Sequence, residues 1–373
     1  MKILYVTTVS LTMGFFPAHI RMLLNEGHTV ELACNLDDPL PGKVAELGCI
    51  AHHIPFSRSP LSADNIRAYR ELKKLLEENH YDIVHTHTPN ASVLVRLACR
   101  KMRKQGVRVF YTAHGFHFYD GAPLKNWLMF YPVEKLLSYW TDVLITINHE
   151  DYGRAQKKFH AKKAVYIPGV GLDTERFGCY DTRETKRREL GIPMDAKVLL
   201  TVGELNANKN QSVIIRAMAK LNDPSLHYVL CGRGESEGVL RQLAEELGTA
   251  ERVHFLGFRT DVPEIYPAAD IYLCPSFREG LNVSIMEAMA SSLPVICSDI
   301  RGNRDLIEHE KGGLRCRPDD ADGFAQAIQT LLEHPERREE QGLYNRGAVE
   351  AFSLKRVLCA LQNVYGLADD MES

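Results

Sequence analysis

From its first residues the chain alternates short apolar runs with segments whose apolar positions recur at helical spacing. The runs at 3–6, 30–33, 50–55, 82–85, 107–111, 143–147 and 165–167 predict strands. Helices are predicted between them at 17–25, 63–79, 91–104, 124–139 and 151–159. The stretch IPGVGLDTERF at 167–177 breaks the rhythm with a proline and two glycines and reads as a linker. Strands then resume at 198–202, 226–231, 253–256, 271–274 and 295–297, separated by helices such as 210–221 and 237–247. Beyond Gly313 the pattern is mostly helical. Such β-α alternation dictates parallel sheets covered by helices on both faces. The prediction is an α/β chain of two doubly wound domains facing a central cleft, with ligands at the carboxyl ends of the strands.

Composition agrees with two folded domains. The 373 residues are 45% hydrophobic and 25% charged, which favours a sizeable core and excludes global disorder. Nine cysteines include no C-x-x-C and no Cys/His pair at zinc spacing, so free thiols in a reducing compartment are expected. Met1-Lys2 leads straight into a strand, so no signal peptide is expected, and no apolar run is long enough to span a bilayer.

Charge changes this picture more than its small total suggests. Residues 1–170 carry 21 Lys and Arg against 15 Asp and Glu, while the remainder carries 24 against 33. Uneven solvation explains this as well as an anionic partner does. Two segments of the basic half suit an interface with lipid. One, 94–108, holds Arg96, Arg100, Lys101, Arg103, Lys104 and Arg108 beside Leu97 and Met102. The other, 124–140, holds Trp127, Phe130, Tyr131, Tyr139 and Trp140, for which aromatic core packing is the commoner explanation.

Several strand ends carry candidate chemistry. The first, TTVSLTMGFF, has the single glycine Gly14 and is no dinucleotide fingerprint. A tight turn accounts for Gly14, and a place for it against a nucleotide sugar is the alternative expectation. His85, His87, His114 and His117 follow strands four and five. No third ligand is positioned for a metal, so polar substrate contacts are favoured. Asp320 and Asp322 read as helix capping rather than a metal pair. In the second half, GELNANKN places Lys209 near a helix N-terminus, where a cation is explained by a shared anion. CGRGE sets Arg233 between glycines, able to fork a phosphate. The stretch FREGLNVSIMEAMASSLPVICSDI at 277–300 sets a helix N-terminus just past a strand end, again suited to an anion. Glu279 and Glu287 bracket it. A carboxylate beside a phosphate is repelled unless it binds hydroxyls, so one glutamate fits a ribose and the other a sugar. The apolar flanks Met286 and Ala288 argue against a solvent-facing Glu287.

Taken in order, IPGVGLDTERF, GELNANKN, CGRGE, HFLGFRTD and EGLNVSIMEAMASSLPVI resemble the retaining glycosyltransferases of family 4. Those enzymes have two Rossmann-like domains, the GT-B fold. The resemblance spans nearly the whole chain, and Glu279 with Glu287 meets the family's E-x7-E. The run TAHGFHFYDGAPLKNW further resembles bacterial enzymes of exopolysaccharide, capsule or O-antigen assembly. The resemblance implies an acceptor-binding domain at 1–168, joined by a returning helix within 354–373, and a nucleotide-sugar domain at 169–353. It implies that Glu287 binds the ribose hydroxyls. Glu279, with the backbone of Gly280, Leu281 and Asn282, would hold the donor sugar and diphosphate. Lys209 would neutralise the leaving diphosphate, His114 would contact the donor sugar, and Phe258-Arg259 would meet the base. One departure stands out: the family's G-R-L turn is here Gly203-Glu204-Leu205. That leaves Arg233, or the amides of Asn206 and Asn208, to replace the arginine.

The function this implies is transfer of a hexose or N-acetylhexosamine from a UDP-sugar to a lipid-linked or oligosaccharide acceptor, with retention and no metal or other cofactor. The expected setting is the cytoplasmic face of the membrane, held through the basic N-terminal domain, with no nucleic-acid partner. Two other functions are compatible with such a fold: a nucleotide-sugar epimerase, which the glutamate pair disfavours, and a non-catalytic sugar-nucleotide-binding partner, suggested by Glu204.

Overall fold

A computed structural model of the chain describes residues 1–178 and 181–366. Two compact units form. One comprises Met1–Val170 with the chain from Val357 onward, and the other Gly171–Arg356.

The first unit is built on seven strands: β1 (Lys2–Val9), β2 (Thr29–Asn35), β3 (Ala51–His53), β4 (Ile83–Thr86), β5 (Arg108–Ala113), β6 (Val143–Thr146) and β7 (Lys163–Tyr166). They lie side by side as β3-β2-β1-β4-β5-β6-β7. Every pair is parallel, with Tyr5 of β1 opposite His85 of β4. The strand order reverses between β1 and β4, the position in such sheets where a crevice opens at the carboxyl ends. Ile3 and Tyr5 enter one core layer and Leu4 and Val6 the other, so β1 is apolar throughout because it is covered on both faces.

The second unit repeats the plan with β8 (Lys197–Val202), β9 (Leu226–Cys231), β10 (Val253–Gly257), β11 (Ile271–Cys274), β12 (Val295–Ser298) and β13 (Gly313–Cys316), in the order β10-β9-β8-β11-β12-β13. Strand β13 is absent from the sequence-based reading. GLRC is short and half polar, and it becomes a strand by pairing with β12, where Ile296 faces Leu314. A doubly wound α/β fold is therefore present in each unit.

Two further differences have local causes. The helix predicted over 91–104 starts earlier and stops sooner, running Pro89–Ala98 with proline in its first turn. A separate 3₁₀ turn follows at Met102–Gln105, closed by Gly106 at φ +104°. The last described element is the helix Leu354–Tyr365. Its Val357, Leu361 and Tyr365 enter the first unit's core beside Ile3 and Tyr5. Residues 367–373, over which that predicted helix extends, lie outside the described residues.

The segments read as membrane-facing come out differently from their sequence. Arg96 is buried and pairs with Glu134 at 2.8 Å. Arg103 forks Asp142, and Arg100 lies over the Trp140 ring. Trp127, Phe130 and Tyr131 pack against the cluster of Phe116, Phe118 and Phe159. The aromatic residues of the helix Leu124–Ser138 thus serve mainly the core. Its aliphatic residues Leu124, Leu128, Met129, Val133 and Leu136 are the exposed ones.

Candidate active site

The helix Val283–Ala290 anchors the site in the second unit. Asn282 caps it, its Oδ1 accepting from the amides of Ser284 at 3.0 Å and Ile285 at 3.4 Å. The same cap fixes the approach loop, because Asn282 Nδ2 donates to Cys274 Sγ at the end of β11. Among the described residues, no protein acceptor meets the amides of Gly280, Leu281 and Asn282. Backbone N–H groups gathered before a helix N-terminus without partners favour an anion.

Three loops converge here because their strands are neighbours: β9, β8 and β11 stand in that order in the sheet. Glycines let their backbones touch. A Cβ on Gly232 would lie 1.8 Å from the carbonyl oxygen of Gly203, and one on Gly234 2.1 Å from that of Leu205. Gly302, after β12, performs the same task for the anchor loop. It sits at φ +75°, and a Cβ there would come within 2.3 Å of the Gly280 oxygen. Gly302→Ala is accordingly expected to cost about 2–4 kcal/mol, combining a left-handed backbone with a clash, and to weaken binding of the UDP that the family resemblance implies. Urea unfolding with parallel UDP titration checks this. An alanine variant with wild-type midpoint and affinity would show that the loop tolerates the shift.

Lys209, in the loop after β8, reaches across to Glu279 at 2.8 Å. Burial alone would depress its ammonium, but Glu279, Cys274 and Glu204 outweigh that and hold it above its ordinary value. The lysine is thus charged and already paired, not a solitary cation awaiting an anion. Asn208 staples its loop to the next, its carbonyl accepting from Phe277 N at 2.8 Å and its Nδ2 donating to Arg278 O at 3.0 Å. Asn206 donates to Glu204 Oε2 at 2.9 Å. Both asparagine amides are engaged in closing the loops, so they are poor stand-ins for the missing arginine. Glu204 itself is exposed.

Arg233, Phe258, Arg259 and Glu287 come together around a cavity of about 640 Å³, with Gly203 and Gly232 at its edge. Phe258 is largely exposed, offering a ring face to the cavity. The Arg259 guanidinium is held by Asp261 and Glu189, so its cation belongs to an ion-pair network and only its backbone and aliphatic stem are left for a ligand. Arg233 is exposed at the rim. Burial pushes the Glu287 carboxyl up to about 7, against the lowering influence of the Tyr266 hydrogen bond and of Arg176. Tyr266 donates to Glu287 Oε2 at 2.8 Å, which orients the carboxyl and leaves its other oxygen available.

Tyr266, Arg176 and Gly302 were not singled out in the sequence. The position of Gly302, just past a strand end like Gly203 and Gly232, is the signal that could have found it. Nothing local marks Tyr266, which stands 21 residues from Glu287.

In the first unit, Gly14 is exposed in the 3₁₀ turn Ser10–Phe15, against Pro41. His114 follows β5, with Nε2 3.4 Å from His87 Nδ1. Burial, reinforced by His19, lowers His114 to about 4, so its ring is neutral at pH 7. His85 is tied instead to Tyr365 and Thr112 and serves the core. Among the described residues, no group of three or more His, Cys, Asp or Glu could hold a metal ion. Asp320 caps the helix Ala321–Glu333, and Asp322 pairs with Lys220.

Residues 18–176 match the family described as Glycosyltransferase Family 4, and residues 182–347 match Glycosyl transferases group 1. A protein named as a glycosyltransferase, EpsD of Bacillus subtilis, is 39% identical over the whole chain and 98% of its own length. The chain belongs to glycosyltransferase family 4. A second relative, the UDP-Gal:alpha-D-GlcNAc-diphosphoundecaprenol alpha-1,3-galactosyltransferase of Escherichia coli, is 30% identical over 82% of this chain and 81% of its own. The family's GT-B fold is shared with Anabaena Alr3699/HepE, solved in complex with UDP and glucose. That structure aligns with a TM-score of 0.83 over 99% of this chain and 100% of its own, at 20% identity. Glu279 stands beside the open amides, paired with Lys209, and Glu287 in the cavity wall.

Proposed function

We propose that this glycosyltransferase moves a hexose or N-acetylhexosamine from a UDP-sugar to a lipid-linked glycan, with retention of anomeric configuration and without a metal. The observation that carries this reading is the pairing of a half-buried carboxyl, Glu287, in a cavity edged by Phe258 with the amides of residues 280–282, which meet no protein acceptor among the described residues. A uridine on Phe258, a ribose diol on Glu287 and a diphosphate at the helix N-terminus and Lys209 fit that order of groups. Arg233, exposed at the same cavity, takes the part of the absent arginine. His114, neutral, suits a hydrogen bond to the transferred sugar rather than a charge contact. Support for the donor comes from the UDP in the Anabaena structure, and for the acceptor from the name of the Escherichia coli relative.

In the reaction, the acceptor oxygen bonds to the anomeric carbon as its bond to the diphosphate breaks. The acceptor proton passes to the departing phosphate oxygen. Lys209 and the amides stabilise the charge that develops there, so positioning and electrostatics supply most of the acceleration. The setting we infer is the cytoplasmic membrane face. Among the described residues no helix is long and apolar enough to cross a bilayer; the attachment we propose is peripheral, through the first unit's exposed aliphatic stripe and the exposed Arg100, Lys101, Lys104 and Arg108.

A panel of UDP-sugars offered with a diphosphate-lipid-linked monosaccharide tests this. Transfer from one donor, with anomeric configuration kept in the product by NMR and activity unchanged in EDTA, is expected. Tight UDP binding without turnover on any pair would instead mark a non-catalytic binding protein. Sedimentation with vesicles containing anionic lipid should carry the protein down, and a wholly soluble protein would refute the membrane attachment.

A further inference from the structure

A second cavity, of about 590 Å³, lies in the first unit at the carboxyl ends of β1 and β5. Tyr111, Phe116, Phe118 and Phe130 form its walls, with Phe116 and Phe118 stacked at 4.9 Å. At its inner side is a feature the donor chemistry does not use. Glu134, from the otherwise apolar middle of the helix Leu124–Ser138, lines the cavity while only 7% exposed. Its Oε2 accepts from Arg96 Nη1 at 2.8 Å. Arg96 is fixed in turn by the carbonyl and hydroxyl of Ser92 at 3.0 and 2.9 Å and by the Tyr111 ring at 4.4 Å. The other carboxylate oxygen meets only the Tyr111 hydroxyl among the described contacts, at 3.5 Å, the outer limit of a hydrogen bond.

We propose that this cavity seats the terminal sugar of the acceptor and that Glu134 Oε1 accepts a hydrogen bond from one of its hydroxyls. The inference rests on the glycosyltransferase reading above and names the acceptor's place within it. The charges at Glu134 select the ligand class there, while the exposed Arg58 elsewhere on the lining can face an anion such as the diphosphate that links sugar to carrier. Arg96 disfavours a cation at this point and Glu134 disfavours an anion, whereas an uncharged hydroxyl donates to a carboxylate already locked in place. Aromatic walls offer flat apolar faces to a sugar ring, and a few fixed polar atoms set its orientation. A buried ion pair is weak evidence of stability by itself, since apolar residues of the same shape serve packing equally well. On the cavity wall, with one oxygen held by Arg96 and the other only weakly engaged, the Glu134 carboxylate is free to accept from a bound partner. The mouth identifies what the sugar is attached to. Leu61, Met129 and Val133 line it and are exposed, and the stripe continues along the helix through Leu124, Leu128 and Leu136. A hydrocarbon carrier can lie there while its sugar enters the cavity.

The probes are GlcNAc-, GalNAc- and glucose-diphosphate esters of a short alkyl chain, with the sugar-free alkyl diphosphate as control, titrated into the full chain by calorimetry. Val133→Trp fills the mouth from an exposed position and is expected to weaken the best glycosyl probe at least tenfold. Its melting temperature and UDP affinity should stay at wild-type values. Glu134→Gln should weaken the same probe about tenfold and remove its advantage over the sugar-free control. If loss of the ion pair unfolds that variant, Met129→Trp with Val133→Trp decides. Wild-type probe affinity in the tryptophan variants, or equal wild-type affinity for glycosyl and sugar-free probes, would overturn the assignment. A wild-type protein that binds a glycosyl probe but no UDP-sugar would overturn the donor reading and leave this site standing.

Discussion

Lys209→Ala is expected to lower turnover at saturating donor by about 10²- to 10³-fold, the usual loss when one group stabilising a developing negative charge is removed. The structure makes the effect twofold. The ammonium itself disappears, and Glu279, held at 2.8 Å, loses its counter-charge. An unbalanced carboxylate would then stand beside the open amides of residues 280–282, where the diphosphate is proposed to sit. The two contributions can be separated with Lys209→Ala/Glu279→Gln. If neutralising Glu279 is the larger part, the double variant recovers much of the loss; if Lys209 acts on the leaving group, it recovers little. Stability should hardly move. The pair is partly solvated, so its removal costs at most about 1 kcal/mol, which for a domain of this size is a few degrees in melting temperature. Steady-state kinetics and a thermal melt on the same samples provide the check. A Lys209→Ala enzyme keeping more than a third of wild-type turnover would remove the lysine from the chemistry.

Glu287→Ala is expected to weaken UDP binding by about 2–3 kcal/mol, or roughly 30- to 150-fold, through loss of two charge-assisted hydroxyl bonds. The pH dependence is the sharper test. Burial raises the free carboxyl to about 7. A diol donates best to the ionised form, so binding must expel the proton that the free protein holds below that pH. UDP affinity should therefore be flat above about pH 8 and fall by up to tenfold per pH unit below 7. Glu287→Gln should keep whatever pH dependence the diphosphate itself brings and lose this part. Stability runs the other way. A carboxyl whose folded pKa is raised contributes fully below its unfolded value, and that contribution is lost as pH rises through about 7. Ligand-free protein should thus gain about 3 kcal/mol at pH 8 from Glu287→Gln, from a shift of 4.5 to about 7. A melting temperature unchanged or lowered at pH 8 would mean the carboxyl is ionised at no cost.

The candidate site of the second unit was legible in the sequence because its residues follow strand ends, and strand ends are marked by glycine. Gly203, Gly232 and Gly280 announce three loops, and the sheet places β9, β8 and β11 side by side, so the loops meet. Glu287 was legible by contrast, a charge between Met286 and Ala288 in an apolar helix. Its partner Tyr266 was not, because the hydroxyl that orients the carboxyl comes from a different turn of chain. The basic segment misled for the same reason. Arg96 and Arg103 read as a surface charge run, yet their carboxylates, Glu134 and Asp142, arrive from 38 and 39 residues away. The aromatic segment misled through its rings, which Phe116, Phe118 and Phe159 absorb, while the less conspicuous leucines are left outside.

Sequence by itself determined the α/β class and the strands long enough to be apolar on both faces. It also determined the family, through motifs whose order depends only on the chain. Tertiary structure decided the rest: that GLRC is a strand, that Lys209 is charged and already paired with Glu279, and that Glu134 lies buried in a cavity wall. Periodicity and glycine spacing are local consequences of backbone geometry and can be read along the chain. Ion pairing, desolvation and cavity shape depend on which distant segments the fold brings together, and only the packed structure specifies them.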